Sequence, residues 1–407
     1  MRKILLFLCL LWAFLLKANS DTLYYKGDLE IGNNQKLILT LKIISKEDTT
    51  LYFLGSPMQS KDEFAPSKVK YKGDTLSLGF KNLNCVLKIF PSNSEDLLQA
   101  SFRQGLLFKE LTLSKQENKF TYNRPQTPQP PFKYESVELS FKNPESDYTF
   151  HGTLTLPSLD GEYPCVVLVS GSGCQNRDLE IFGHRPFFLI ADYLTNNGIA
   201  VFRYDDRGYG EKDTNLYRGT TMDFAKDAFY AIKMLRTQKQ IDTSFIGVFG
   251  HSEGGMIAQI LADSLDFIIL AATPSIEGKN ILKSQGADLS SYEFDTNNMT
   301  DLWLKYFYEF NPQKYLSKIH IPTLVLQGEK DKQVLCKENI PIMQKLLPKN
   351  TTIKTYPQLN HLFQHCQTGE VSEYINIEET FSEDVLKDIL YFIKHTYKVS
   401  STSKARL

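Results

Sequence analysis

A serine flanked by glycines, Gly250-His251-Ser252-Glu253-Gly254, sits between the strand-forming run Phe245-Ile246-Gly247-Val248-Phe249 and the apolar helical pattern beginning at Met256. A sharp strand-to-helix turn of this kind lifts a serine Oγ clear of a sheet edge, and its glycines are needed because a Cβ at either position would collide. A serine hydroxyl is a weak nucleophile at neutral pH, so the chemistry requires a base and an orienting acid. Asp331 follows the apolar strand 321–326, and His361 follows strand 352–356, which places the three in the order Ser, Asp, His. In that order Ser252 attacks, His361 carries its proton, and Asp331 holds the imidazole tautomer. Glu329 is the rival acid and His365 the rival base. His251, within the turn itself, is expected to point away from the nucleophile.

The third requirement is a pair of backbone donors for a developing oxyanion. The buried run 164–169 breaks into Ser170-Gly171-Ser172-Gly173-Cys174. The expected donors are the amide of Glu253 and one from Ser172 or a loop neighbour such as Gly173. This loop lacks the Lys-Ser/Thr of a phosphate-binding loop and the third glycine of a dinucleotide fingerprint, so no nucleotide cofactor is expected.

These elements need a scaffold. After residue 133 the pattern gives an antiparallel entry, 134–141 and 148–156, then strand 164–169, helix 186–197, strand 199–203, helix 221–236, strand 245–249, helix 253–263, strand 267–271, strand 321–326, helix 337–347, strand 352–356 and helix 382–396. Such alternation makes a mainly parallel, doubly wound α/β sheet with its site at the carboxyl edge. Asp206-Arg207-Gly208 reads as a structural turn with Arg207 ion-paired. Upstream, short alternating runs at 23–31, 36–44, 50–54, 68–71, 75–80, 85–90, 98–102 and 107–113 indicate an all-β sandwich or barrel. The expected domains are a leader (1–20), an antiparallel β domain (21–123), a proline-rich linker (124–132) and a catalytic domain (133–398).

From about Arg124 onward the chain resembles two-domain bacterial carboxylesterases of the esterase D type, in the neighbourhood of prolyl-oligopeptidase-like hydrolases. The resemblance rests on Ser170-Gly171-Ser172-Gly173 with Gln175 and Arg177-Asp178, on Arg203-Tyr204-Asp205-Asp206-Arg207-Gly208, on Gly250 to Gly255, on Gly328-Glu329-Lys330-Asp331, and on Leu359-Asn360-His361-Leu362-Phe363-Gln364. It implies an α/β-hydrolase fold and ester hydrolysis at Ser252, Asp331 and His361. It extends weakly to Ser56-Pro57-Met58-Gln59 and Phe102-Arg103-Gln104-Gly105, which look like degraded motifs of that family's N-terminal domain. Similar proteins carry a long helical cap after the strand 267–270. Here about thirty residues fill that interval, suiting a loop better than a lid, so a reduced cap and an open site are expected.

Composition sets outer limits. A chain of 407 residues with 42% hydrophobic content can bury more than one core. Arg2 and Lys3 precede the apolar run 4–16 and the small residues Ala18-Asn19-Ser20, the pattern of a cleavable signal peptide and of a secreted or periplasmic product. Losing Arg2, Lys3 and Lys17 takes the formal charge from −1 to −4, which leaves no basic footprint for nucleic acid and no membrane anchor. Five cysteines remain, an odd number that leaves a free thiol; Cys174 and Cys366 could approach each other near the site. No Cys or His pair has ligand spacing, so neither metal nor cofactor is expected.

The expected activity is cleavage of carboxylic esters, either small molecules or acyl groups on glycans, through an acyl-Ser252 intermediate. A peptidase or acyl-aminopeptidase could use the same triad, but would need acidic groups such as Glu253, Asp295 or Glu309 to hold an amine. A dehalogenase would need an aspartate nucleophile, and export would separate a thioesterase from CoA. A catalytically dead binding module is the rival from another class. The sequence does not give the oligomeric state.

Overall fold

A computed structural model describes residues 21–404 apart from 33–34, 48, 61, 93, 147 and 211–218. The leader expected at 1–20 lies outside the described residues, as do the turn positions Asn33, Asn34 and Asn93. The chain divides into two compact units between Tyr122 and Asn123.

The first unit is one nine-stranded antiparallel sheet. Its strands are β1 (Asp21–Gly32), β2 (Gln35–Lys46), β3 (Thr49–Gly55), β4 (Glu63–Phe64), β5 (Lys68–Lys72), β6 (Thr75–Phe80), β7 (Cys85–Ile89), β8 (Leu97–Gln104) and β9 (Leu107–Gln116). They run in the order β4-β3-β2-β1-β9-β8-β7-β6-β5. Period-two burial sets the inner face: in β7, Cys85, Leu87 and Ile89 are buried while Lys88 is exposed. Leu54 of β3 and Phe102 of β8 share one core although three strands separate them, so the sheet curls upon itself as an open half-barrel rather than splitting into a sandwich. Both edges are blunted, β4 by its two-residue length and β5 by Lys68, Lys70 and Lys72. β4 escaped sequence reading because two residues show no alternation.

The second unit is an α/β-hydrolase fold. Its sheet comprises β10 (Glu135–Asn143), β11 (Tyr148–Leu156), β12 (Tyr163–Val169), β13 (Ala200–Tyr204), β14 (Ile241–His251), β15 (Phe267–Ala271), β16 (Thr323–Gly328) and β17 (Thr352–Tyr356), ordered β10-β11-β13-β12-β14-β15-β16-β17. From β13 to β17 every pairing is parallel. β15 is buried at all five positions, because helices cover both faces and its sequence is a continuous apolar run. Helices α1 (Pro186–Thr195) and α8 (Glu383–Lys404) pack on one face, through residues such as Ile190 and Ile389. Helices α2 (Thr221–Leu235), α3 (Glu253–Leu261) and α7 (Cys336–Leu346) cover the other, through Ala228, Ile257 and Met343.

One expectation needs correction. The roughly thirty residues between the strand β15 and Leu302 are not a plain loop: they include α4 (Gly278–Ser284) and the start of α5 (Met299–Glu309), which α6 (Gln313–Leu316) follows. Asn298 caps α5 by accepting the Thr300 amide at 2.9 Å, and Ile281, Leu282, Phe307 and Phe310 form a small core with Met256 and Val334. The start of the proline-rich segment is anchored. The Arg124 guanidinium donates to the carbonyls of Phe182, Ile375 and Ile377 at 2.8–3.0 Å, and Gln126 bonds the backbone of Thr380 and Phe381.

Candidate active site

β14 delivers Ser252 at φ 55°, ψ −118°, and α3 starts at the next residue. A Cβ on Gly250 would strike the Gly254 carbonyl, one on Gly254 would strike that of Val169, and one on Gly255 would strike the Thr273 side chain. The turn therefore needs glycine at each of these positions. The Ser252 amide is already committed to the Ala271 carbonyl at 2.9 Å. Glu253 is the first residue of α3, where amides have no acceptor within the helix.

On the loop beyond β16, Asp331 is 1% exposed, and on the loop beyond β17, His361 is 4% exposed. His361 Nδ1 lies 2.8 Å from Asp331 Oδ2. The carboxylate also accepts the amides of Gln333 (2.8 Å) and Val334 (2.9 Å) and the Gln327 side chain (2.9 Å), so its oxygens are satisfied without a cation. With Nδ1–H donated to Asp331, Nε2 is the basic nitrogen. Asn360 shapes the turn that presents the ring, its side-chain oxygen accepting the amides of Leu362 and Gln364. The rivals are engaged elsewhere: Glu329 accepts from Thr355 at 2.8 Å, and His365 pairs with Glu379 at 2.8 Å. Ser252, His361, Gly171 and Ser172 line one cleft.

His251 does not point away. It lines the same cleft, its ring centroid is 4.7 Å from that of His361, and its Nε2 donates to the His361 carbonyl at 2.9 Å. Full burial, reinforced by His361, lowers its pKa to about 3, so the ring is neutral.

The loop after β12 is held by two carboxylates, Asp206, half-buried, and Glu253, buried. Asp206 accepts the Ser170 hydroxyl (2.9 Å) and the Gln175 amide (2.9 Å), and burial pushes its pKa up to about 8. Glu253, 2% exposed, accepts the hydroxyls of Ser172 (2.7 Å) and Thr221 (2.7 Å) and the Trp303 indole N–H (3.0 Å). Burial raises its pKa while these three donors oppose the rise. Sequence reading named Glu253 for its amide and as a carboxylate that could hold an amine; its carboxylate ties Ser172 to α5. Gly173, at φ 100°, turns the loop, whereas Gly171 comes closest to the nucleophile: a Cβ there would lie 3.0 Å from that of Ser252. Sequence reading named Ser172 or a loop neighbour such as Gly173 for the second donor, since nothing local distinguishes these residues.

The cleft has a volume of about 230 Å³. Leu179, Ile281, Leu282, Trp303, Phe307 and Leu362 make it apolar, with Gln175, Gln285 and Gln333 as neutral polar groups. Among the described residues lining it, none is Asp, Glu, Lys or Arg. Asp295 and Glu309 are exposed and do not line it. Arg207 pairs with buried Asp227 at 2.6 Å, as a structural turn requires. Cys174 and Cys366 are free thiols, each donating to a backbone carbonyl instead of pairing. Among the described residues no group of three His, Cys, Asp or Glu could hold a metal, and no helix is long and apolar enough to cross a membrane.

Residues 186–397 match the prolyl oligopeptidase family. Esterase EstD of Thermotoga maritima is 29% identical over 287 residues, 63% of this chain and 65% of that protein. The uncharacterized peptidase YuxL of Bacillus subtilis is 24% identical over 230 residues, 53% of this chain and 34% of that one. The matched stretch is thus less than two thirds of either relative. Among solved structures, puromycin hydrolase superposes with a TM-score of 0.50 at 14% identity, covering 88% of this chain and 52% of that one, a likeness of fold.

Proposed function

Since the chain belongs to the prolyl oligopeptidase family, a family of serine hydrolases that includes esterases and peptidases, we propose that it hydrolyses uncharged carboxylic esters at Ser252. The observation that carries the ester reading is the cleft wall, apolar and without a formal charge among its described residues. A peptidase that gripped a free N-terminus would need a carboxylate there, and the nearest, Glu253, is buried and already holds three donors. An unpaired ammonium drawn into such a cleft would lose its hydration without a counter-charge.

In the proposed reaction His361 Nε2 removes the Ser252 proton as Oγ attacks the ester carbonyl, and Asp331 stabilises the imidazolium. The amide of Glu253 and one from Gly171–Ser172 receive the oxyanion. His361 returns the proton to the departing alkoxide, leaving acyl-Ser252. A water, deprotonated by the same nitrogen, then releases the acid and regenerates the serine. The acyl group can come from a small molecule or from a decorated glycan. Export through the leader belongs to the same proposal, and a mature N-terminus at Asp21 would be its signature.

The test is a substrate panel: p-nitrophenyl esters of graded chain length, acetylated oligosaccharides, and aminoacyl anilides. Turnover of esters far above anilides, lost in Ser252→Ala, is the expected result. Preference for anilides with a free amine would replace this reading with a peptidase.

A further inference from the structure

The half-barrel unit contains a pocket of its own, about 280 Å³, lined by Leu39, Leu54, Leu83, Cys85 and Phe102 among others. That is just under the range of drug-sized sites and suits a smaller ligand. Strands β2 and β3 supply one wall and β7 and β8 the opposite one, so the pocket exists because the sheet curls. Its deep wall is dry: Leu39, Leu54, Cys85 and Phe102 are each at most 5% exposed. At the rim stand the exposed Gln59 and Gln104.

Two features separate this pocket from a packing defect. Ser56 lines it, and its Oγ is buried without a hydrogen-bond partner among the described residues. Leaving such a hydroxyl unpaired costs about 1–3 kcal/mol, a penalty that a ligand's polar group would remove. The pocket is also assembled by two distant segments. The turn at Ser56, closed by the amides of Gln59 (2.8 Å) and Ser60 (3.0 Å) on the Ser56 carbonyl, forms one lip. Gln104, whose side-chain amide donates to the Leu83 carbonyl at 2.8 Å, braces the other. Ser56-Pro57-Met58-Gln59 and Phe102-Arg103-Gln104-Gly105 are the two motifs that catalysis leaves unused, and both end at this cavity.

No described residue lining the pocket is charged, which excludes a carboxylate or ammonium as the inserted group. The pocket's apolar walls are three leucines, Cys85, Phe64 and Phe102, which suit a flexible alkyl chain. We propose that this pocket binds the alkyl chain of an uncharged amphipathic ligand, with its polar end meeting the Ser56 hydroxyl.

The test is calorimetric titration of the full chain with 1-octanol, with octanoate and octylammonium as charged counterparts. Saturable 1:1 binding of octanol, at least tenfold tighter than of either ion, is expected. Ser56→Leu, which fills the cavity, should weaken it more than tenfold. Ser56→Ala, which removes only the hydroxyl, should weaken it by about three- to tenfold without lowering the melting temperature. Trp303→Ala, in the other cleft, should leave it unaltered. Absence of saturable octanol binding, equal binding of the ions, or loss with Trp303→Ala while Ser56→Leu still binds would each overturn the proposal.

Discussion

His251 Nε2 donates to the carbonyl oxygen of His361 at 2.9 Å, so the residue beside Ser252 anchors the loop that carries His361. Only the neutral ring is compatible with its burial, which holds its pKa near 3. The unfolded chain takes up a proton at about 6.5. A histidine lowered in this way gives stability that is complete above about 6.5 and is lost as the pH falls toward 3. The stability advantage of wild type over His251→Gln should therefore shrink by about 1.4 kcal/mol per pH unit across that window and be constant above it. Urea titrations at several pH values measure this, and a pH-independent difference would rule it out.

Asp331→Asn should lower kcat on p-nitrophenyl butyrate by roughly a thousandfold or more with little change in KM, because an amide nitrogen facing Nδ1 favours the wrong tautomer. Retention of more than a tenth of the activity would show that another acid serves His361.

Ser252 holds φ 55° without being glycine. Ser252→Gly and Ser252→Ala should both be inactive, yet the glycine variant should be about 1 kcal/mol the more stable, since it adopts this conformation without strain. Melting temperatures in the reverse order would contradict the strained turn.

Glu253→Gln leaves one of three donors facing an amide nitrogen, and through Ser172 the disturbance reaches the oxyanion loop. kcat for esters should fall about tenfold while KM stays within about twofold. A rise in KM at constant kcat would instead make Glu253 a substrate-binding group.

What could be read in advance was local. The apolar run of β15 and the glycines around Ser252 announce their geometry within a few residues. Helix α5 hid because only Phe307 is buried along it, so its apolar stripe is thin, although Asn298 with Asp301 three residues on was a visible capping signal. The bond from Trp303 to Glu253 spans 50 positions and that from His251 to the His361 carbonyl spans 110; contacts of that range leave no periodicity. The curl of the half-barrel was equally hidden, since alternation specifies which side of a strand is dry but not how far a sheet bends.

The Glu253 carboxylate accepts from Trp303 on α5 and from Ser172 on the oxyanion loop. Roof and reaction centre are thus fastened by a single clip. Transplanting a larger roof from a relative would change more than substrate access: unless the graft restores an N–H where the indole stands, the chemical step itself would slow.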